Sequence, residues 1–460
     1  MAGIFVLDDL HPEDNAMLQA LYSRSPASVM IHLPKVKGSD SGAFMDKFYV
    51  GYGHASIGDC GSTTIFIEDV SMLVAKAFQD NPLYSGQESS TRYLDFSAQP
   101  MIDPYGRPET RAILDRWMAI YNRFLPLMKD SLARQHPFDE TAYPSRKVWE
   151  NTVAARAFDV MRGLLPVGAG TNLSWHTNLR QARDKLMALS HHPLAEVRGV
   201  ALNVFAALRE KYPHSFREND MAGDERHAGR RAFAEEFAMR DIFFTADDAA
   251  GELTERELAL VRSGGLVVHD RLFDVSGLNM REGVMLARRP KGAALPRRLL
   301  SYGIYNLFFM LDFGSFRDIQ RHRNGLCRMP LVDGRFGIHK WYMDDLAANL
   351  SLLDFASLHA AIDEQFAAIA ALKESTVVQN QYLYPMGCAV LCHLAYSLPE
   401  VVYVAELRSG KTVHPSLRRV AGDMLGFIAD RHPKLALFGD TEPDGWTAKR
   451  GTQTISAVGP

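Results

Sequence analysis

The chain has 460 residues, 47% hydrophobic and 23% charged, which is ordinary for a globular protein and long enough for two or three domains with sizeable cores. A formal net charge of −3 carries no whole-chain basic signal, so nucleic acid is not favoured as a partner, although a local basic pocket stays open. Four cysteines (Cys60, Cys327, Cys388 and Cys392) fit a reducing compartment better than a disulfide scaffold.

The first residues, MAGIFVLDDLHPEDN, lack a basic n-region, so no signal peptide is expected. Residues 28–93 mix β-prone apolar stretches such as TTIFIEDV with turn residues. Helical periodicity runs through 107–135 (Ile113, Trp117, Ile120, Tyr121, Phe124, Leu127), then 147–165 and 178–212, where Pro213 ends it. FRENDMAGDERHAGRRAFAEE, 216–236, is polar and charge-dense and reads as an exposed connector.

The order then repeats. β-prone YNLFFMLDFGSF leads to an Arg-His-Arg turn, and helices are expected over 351–374, 381–397 and 414–431. The charge-poor run Tyr384–Leu398, about 15 residues, falls short of the roughly 20 that span a bilayer and reads as a buried helix. Cys388 and Cys392 lie one turn apart beside His393; with no further ligands in the spacing, they read as packed small hydrophobes and not as a metal site. The helix ends EVRGVALNVFAALREKYP (196–213) and SLRRVAGDMLGFIADRHP (416–433) are similar, which suggests a duplicated unit of roughly 200 residues. The expectation is an α+β fold of two repeats, each an antiparallel sheet with long helices, packed as a pseudo-dimer: residues 1–215, a connector 216–240, and residues 241–460. No GxGxxG or P-loop pattern is present, and Gly325, Gly387 and Gly410 read as turn or packing glycines.

Two short stretches carry chemistry. Arg321, His322 and Arg323 put two guanidinium forks and an imidazole on one turn, which suits phosphate oxygens but equally suits a solvated basic turn. Gln87, Glu88, Ser89, Ser90, Thr91 and Arg92 form a polar loop that can hold a phosphate through backbone N–H groups, hydroxyls and a guanidinium, or can simply be solvated.

Taken with GHASIGD (53–59), these stretches resemble the flavin-dependent thymidylate synthases. That family carries Arg-His-Arg, seven residues, Ser, and Arg two further on, with an upstream His-x-Ser/Thr. Here Ser90 and Arg92 remain in the first copy while the triplet's place holds Asp80-Asn81-Pro82. The second copy keeps Arg321-His322-Arg323 but holds Leu331 and Asp333 at the Ser and Arg places. MRGLLP resembles the family's Ala-Arg-x-x-Leu-Pro and supplies Arg162, where copy two has Gln381; Asn178-Leu179-Arg180 resembles Asn-x-Arg; the later Leu-Arg falls on Leu407-Arg408, but near Leu189 in copy one; and Leu295 stands about where His54 does. The likeness covers most of 20–215 and, more weakly, 295–435.

The resemblance implies sites that cross between copies, so the losses are complementary and one composite site survives per pair. It implies FAD as cofactor, with methylenetetrahydrofolate and NADPH as co-substrates, and a one-carbon transfer to C5 of dUMP or a related pyrimidine nucleotide. It assigns Arg408 to catalysis, by stabilising negative charge on the pyrimidine. It assigns Gln87, Glu88, Ser89, Ser90, Thr91, Arg92, Arg162, Arg321 and Asp318 to the nucleotide, and His54, Ser56, Asn178, Arg180, Arg321, His322 and Arg323 to the flavin. It implies no metal. Asp318 stands where the family has a glutamine that helps place the base, and offers acceptors only, which opens the choice of base. A homodimer, a pseudo-tetramer of repeats, is expected in the cytoplasm, with no membrane or nucleic-acid partner. The alternative is a non-catalytic flavin- or nucleotide-binding paralogue that regulates a partner.

Overall fold

A computed structural model describes residues 5, 7, 9–37, 40–51, 54–217, 245–442, 446 and 449–452. The expected connector, apart from Phe216 and Arg217, lies outside them, as do 241–244. Contacts within the chain define two compact units, one of 1–88 with 171–240, the other of 89–170 with 241–460. Compact units in space and repeats in sequence are different divisions: the segment 89–170 falls in the second unit.

The first unit is built on two paired strands, β1 (Ser62–Ser71) and β2 (Gly170–Asn178). Each runs straight into a helix, and its last residue caps that helix. Ser71 Oγ accepts from the Val74 N–H at 3.2 Å, and Asn178 Oδ1 from the Gln181 N–H at 2.8 Å, each meeting one of the four N–H groups a helix start leaves unpaired. Trp175 is fully buried, edge-on to Phe78. The helical stretch expected over 178–212 is two helices, Leu179–Leu189 and Ala195–Lys211. Pro193 breaks it, since its ring removes an N–H donor and drives His192 out of the helical region.

The second unit carries a four-stranded antiparallel sheet ordered β3 (Val267–His269), β4 (Tyr305–Asp312), β6 (Ala389–Tyr396), β5 (Leu326–Arg328). The central pair runs from Tyr305 opposite Tyr396 to Asp312 opposite Ala389. The buried helix expected over 381–397 is therefore a strand. All but one of its eight residues are buried, so the hydrophobic alternation that marks a half-exposed strand is missing. Helices Pro108–Gln135 and Leu352–Ala370 lie against each other, tied where Gln365 donates to the Ile113 carbonyl at 2.7 Å. Trp117 Nε1–H donates to the Leu383 carbonyl at 2.9 Å.

Beside the sheet, the stretches RGLLPVGAG (162–170) and QYLYPMGCA (381–389) run antiparallel with Pro166 opposite Pro385. Their hydrogen bonds recur with the roles exchanged. The Val167 N–H donates to the Tyr384 carbonyl at 2.8 Å and the Met386 N–H to that of Leu165 at 2.7 Å, while Gly168 donates to Tyr382 and Gly387 to Gly163, both at 2.9 Å. Outside them, Ile102 donates to Gly168 and His339 to Gly387, both at 2.8 Å.

A Cβ on Gly387 would meet Gly163 backbone atoms at 2.6–3.0 Å, and backbone cannot swing aside as a side chain can. Gly387→Ala is expected to cost about 1–3 kcal/mol through overpacking, read as a lower denaturant midpoint with an unchanged slope.

Candidate functional site

The site grows from the end of β4. Asp312, fully buried, caps the helix Phe313–Ile319 by accepting from the Ser315 N–H at 2.8 Å. That helix carries Arg317 and Asp318 and delivers the chain to Arg321-His322-Arg323. A buried carboxylate needs compensation, and Asp312 has it. Ser416 donates to it at 2.7 Å, Tyr342 at 3.0 Å, and the Arg162 guanidinium lies 3.7 Å away. Burial alone would raise its pKa; the neighbouring Arg162 charge and the hydrogen bond from Ser416 are among the effects that outweigh that and bring it down to about 2.

Arg162 is 2% exposed and donates to Ser315 Oγ at 2.7 Å and Tyr342 Oη at 3.2 Å. Its fork is spent inside the protein, so its place is structural support beneath the site, where the resemblance implied a nucleotide contact. His414 completes the layer. Its Nδ1 accepts from the Ser416 N–H at 3.3 Å, capping the helix Pro415–Arg431, which leaves the proton on Nε2 to donate to the Asp159 carbonyl at 3.0 Å. Burial, then the neighbouring Arg162, hold its pKa well below the usual imidazole value.

Above this layer the two polar stretches meet. Arg317 donates to the Ser89 carbonyl at 3.3 Å and to Thr91 Oγ1 at 3.4 Å, holding the loop against the helix. Ser90 Oγ accepts from the Arg92 N–H at 3.3 Å. Arg92 forks onto buried Asp159 (Nε at 2.7 Å, Nη2 at 3.2 Å) and reaches the Thr412 carbonyl at 3.1 Å. Arg408 donates through Nε to His322 Nε2 at 2.9 Å and through Nη2 to the Asp318 carbonyl at 2.6 Å. His322 is therefore an acceptor at Nε2 and neutral. Burial, then Arg408, push its pKa down to about 3.

Four guanidinium groups share one carboxyl. Partial burial works to raise the pKa of Asp318, and Arg92, Arg408, Arg321 and Arg162 more than offset it. The Arg321 side chain is exposed, with no hydrogen-bond or ion-pair partner among the described residues, and Arg323 Nη1 donates to the Arg321 carbonyl at 3.2 Å. Of the residues that the sequence reading set at the matching motif places, Leu331 is buried, Asp333 accepts from the Arg335 N–H, and Gln381 accepts from the Val332 N–H at 3.2 Å.

The other residues singled out from sequence belong to the first unit. His54 and Ser56 are exposed, Asn178 caps its helix, and Arg180 donates to Asp59 at 2.7 Å. The Gln87 N–H donates to Ser174 Oγ at 3.1 Å, and Glu88 accepts from Gln79 at 2.5 Å. Sequence reasoning missed Asp159, Asp312, Ser315, Arg317, Tyr342 and His414. Three of them left a trace: Asp159 stands one helical turn before Arg162, and Asp312 and Ser315 have cap spacing at the end of an apolar run. Among the described residues no cluster of His, Cys, Asp or Glu could hold a metal ion, and no helix is long and apolar enough to cross a membrane.

Because His322 is held neutral below the ordinary imidazole pKa, the unfolded chain takes up its proton first as pH falls. Its contribution is complete above about pH 6.5 and shrinks toward pH 3, with roughly 2 kcal/mol gone by pH 5. His322→Gln keeps an acceptor for Arg408 and removes this titration. Thermal midpoints between pH 7 and 5 are expected to fall less steeply in the variant than in the wild type; parallel slopes would contradict the neutral assignment.

Residues 7–214 match the family model described as thymidylate synthase complementing protein. A UPF0159 protein of Chlamydia muridarum is 24% identical over 433 residues, covering 84% of this chain and 78% of its own. A UPF0159 protein of Thermoplasma acidophilum is 23% identical over 480 residues, covering 92% and 94%. One of Chlamydia pneumoniae is 24% identical over 440 residues, covering 86% and 80%. The stretch 7–214, which bears Ser90, Arg92 and Arg162, is thus similar to the thymidylate synthase complementing protein family.

Proposed function

We propose that this chain is a flavin-dependent enzyme of the thymidylate synthase type, transferring a one-carbon unit reductively to C5 of dUMP or a related pyrimidine nucleotide. The single observation that carries the reading is the convergence around Asp318 and His322 of the groups each half retained: Arg92 from the loop, Arg321, His322 and Arg323 from the turn, and Arg408. A chain decaying without function has no reason to keep matching halves together. The same reading makes the chain a tandem of two diverged repeats packed as a pseudo-dimer. The reciprocal hydrogen bonds about Pro166 and Pro385 support that, since a two-fold contact pairs each residue with the equivalent of its partner's. On this view two chains make a homodimer of four repeats.

The residues present suit FAD on the chemistry of their donors. Arg321 is an exposed guanidinium with no hydrogen-bond or ion-pair partner among the described residues, beside a second in Arg323, and both match pyrophosphate oxygens. When bound and reduced, the flavin supplies the hydride, with methylenetetrahydrofolate as one-carbon donor and NADPH as reductant. The chain's own work is binding and electrostatics. Ser90, Thr91, the backbone of 88–91 and Arg92 Nη1 hold the nucleotide, with Arg317 fixing the loop. Arg408 spends two of its five N–H donors on His322 and Asp318, and offers the rest to a pyrimidine oxygen as N3 loses its proton. No cysteine lies in these loops, so thiolate attack on the ring has no nucleophile here. His54, Ser56, Asn178 and Arg180 complete the flavin set on the family's pattern, and Arg162 acts as support.

One observation favours a second reading, a nucleotide- or flavin-binding protein without turnover: the Nε–Nη2 edge of Arg92 is closed on Asp159. The two share flavin binding and part at catalysis. Replacing Arg321 and Arg323 together with Ala is expected to weaken flavin binding about 100-fold or more, at roughly 1.5–3 kcal/mol per charge-assisted contact. Bound flavin is read from visible absorbance after purification, and methylation of dUMP by tritium release from C5. Full flavin occupancy in the double variant would refute the assignment of the turn; bound flavin without tritium release in the wild type would select the second reading.

A further inference from the structure

Away from these motifs, the second unit holds a cavity of about 380 Å³ between the end of the helix Glu255–Arg262, the loop 335–340 and the start of the helix Pro415–Arg431. Four cations line it, Arg262, Arg335, Lys340 and Arg419, and among the described residues lining it there is no carboxylate. Arg335 is paired with Asp247 and Lys340 with Asp344, both at the surface. Arg262 and Arg419 have no ion-pair partner among the described residues; Asp423, one turn beyond Arg419, feels its charge without pairing with it.

Two devices aim this charge. Gly264, at φ +93°, has no Cβ, and the Arg419 guanidinium lies 3.1–3.2 Å from where one would be, flat against the backbone. Arg262 stacks over the Phe336 ring at 5.2 Å. The starts of two helices, Lys340–Asn349 and Pro415–Arg431, also contribute residues, Lys340 and Ser416, so the positive ends of both dipoles lie at the cavity. Met310, Phe336 and Val420 provide an apolar wall.

We propose that this cavity binds a ligand carrying two or more phosphate groups and a flat ring, a nucleoside di- or triphosphate, at a place separate from the Arg-His-Arg turn. Arg262 and Arg419 take the phosphate oxygens and the apolar wall takes the ring. Its volume lies within the usual range for small-molecule sites, about 300–1,000 Å³. Ser416 links it to the motif layer, because its hydroxyl donates to Asp312, the cap of the helix leading to Arg321.

The inference stands apart from the enzymatic reading, and its test needs no turnover. ADP and inorganic pyrophosphate are titrated calorimetrically into the full chain. Both are expected to bind, ADP about 10-fold tighter through the wall. Arg419→Glu and, separately, Arg262→Glu are expected to weaken both at least 10-fold, roughly the loss of one charge-assisted contact. Arg256→Glu, exposed on the same helix as Arg262 but outside the cavity lining, is expected to leave both unchanged. Both lysine-free reversals are at exposed positions, and either one folding is sufficient. Wild-type affinity in both reversals, an equal loss in Arg256→Glu, or no binding to the wild type would overturn the site; equal affinity for ADP and pyrophosphate would overturn the role of the wall.

Discussion

The site depends on keeping one buried carboxylate ionised. Asp312 sits at the end of the central strand with no access to water, and a lone charge there would cost several kcal/mol. Arg162, Tyr342, Ser416 and the Ser315 N–H satisfy it together. The same bonds fix the start of the helix that carries Arg317, Asp318 and then the Arg-His-Arg turn. Removing one partner would strand the others, which is why such a layer holds geometry more firmly than its net stability suggests.

On that layer the arginines divide the work. Arg162 is spent below. Arg317 holds the loop 89–92, and Arg92 is oriented by Asp159. Arg408 keeps His322 neutral and retains donors of its own. Arg321 reaches solvent with no ion-pair partner among the described residues. Several guanidinium groups close together repel, and Asp318 in their midst lessens that cost. An aspartate where the family has glutamine thus has an electrostatic explanation within the chain, beside any effect on the choice of base.

Much of this was legible in the sequence because it was written locally. The helix 107–135 follows from its apolar period and appears as Pro108–Gln135, and the helix 414–431 appears as Pro415–Arg431. Of the residues that the motif spacing singled out, Arg92, Arg321 and Arg408 bring their charges to bear on one carboxyl, Asp318. What the sequence could not reveal depends on what surrounds each segment. Ala389–Tyr396 is apolar but for His393 and buried on both faces of the sheet, and a short run of that kind has no period to separate strand from helix. Asp159 and His414 looked like ordinary polar residues, since only the fold brings them to Arg92 and Ser315. Arg162 matched a binding motif, yet nothing in the motif tells that Asp312 would claim its fork.

The central claim is that one composite nucleotide site is assembled from complementary remnants of two repeats. Titration calorimetry of dUMP into the flavin-loaded chain, counted per chain, tests it most directly. A composite site gives one nucleotide per chain, abolished by Arg92→Ala and unchanged by Asp333→Ala. Two equivalent nucleotides per chain, or one that survives the loss of Arg92, would contradict it.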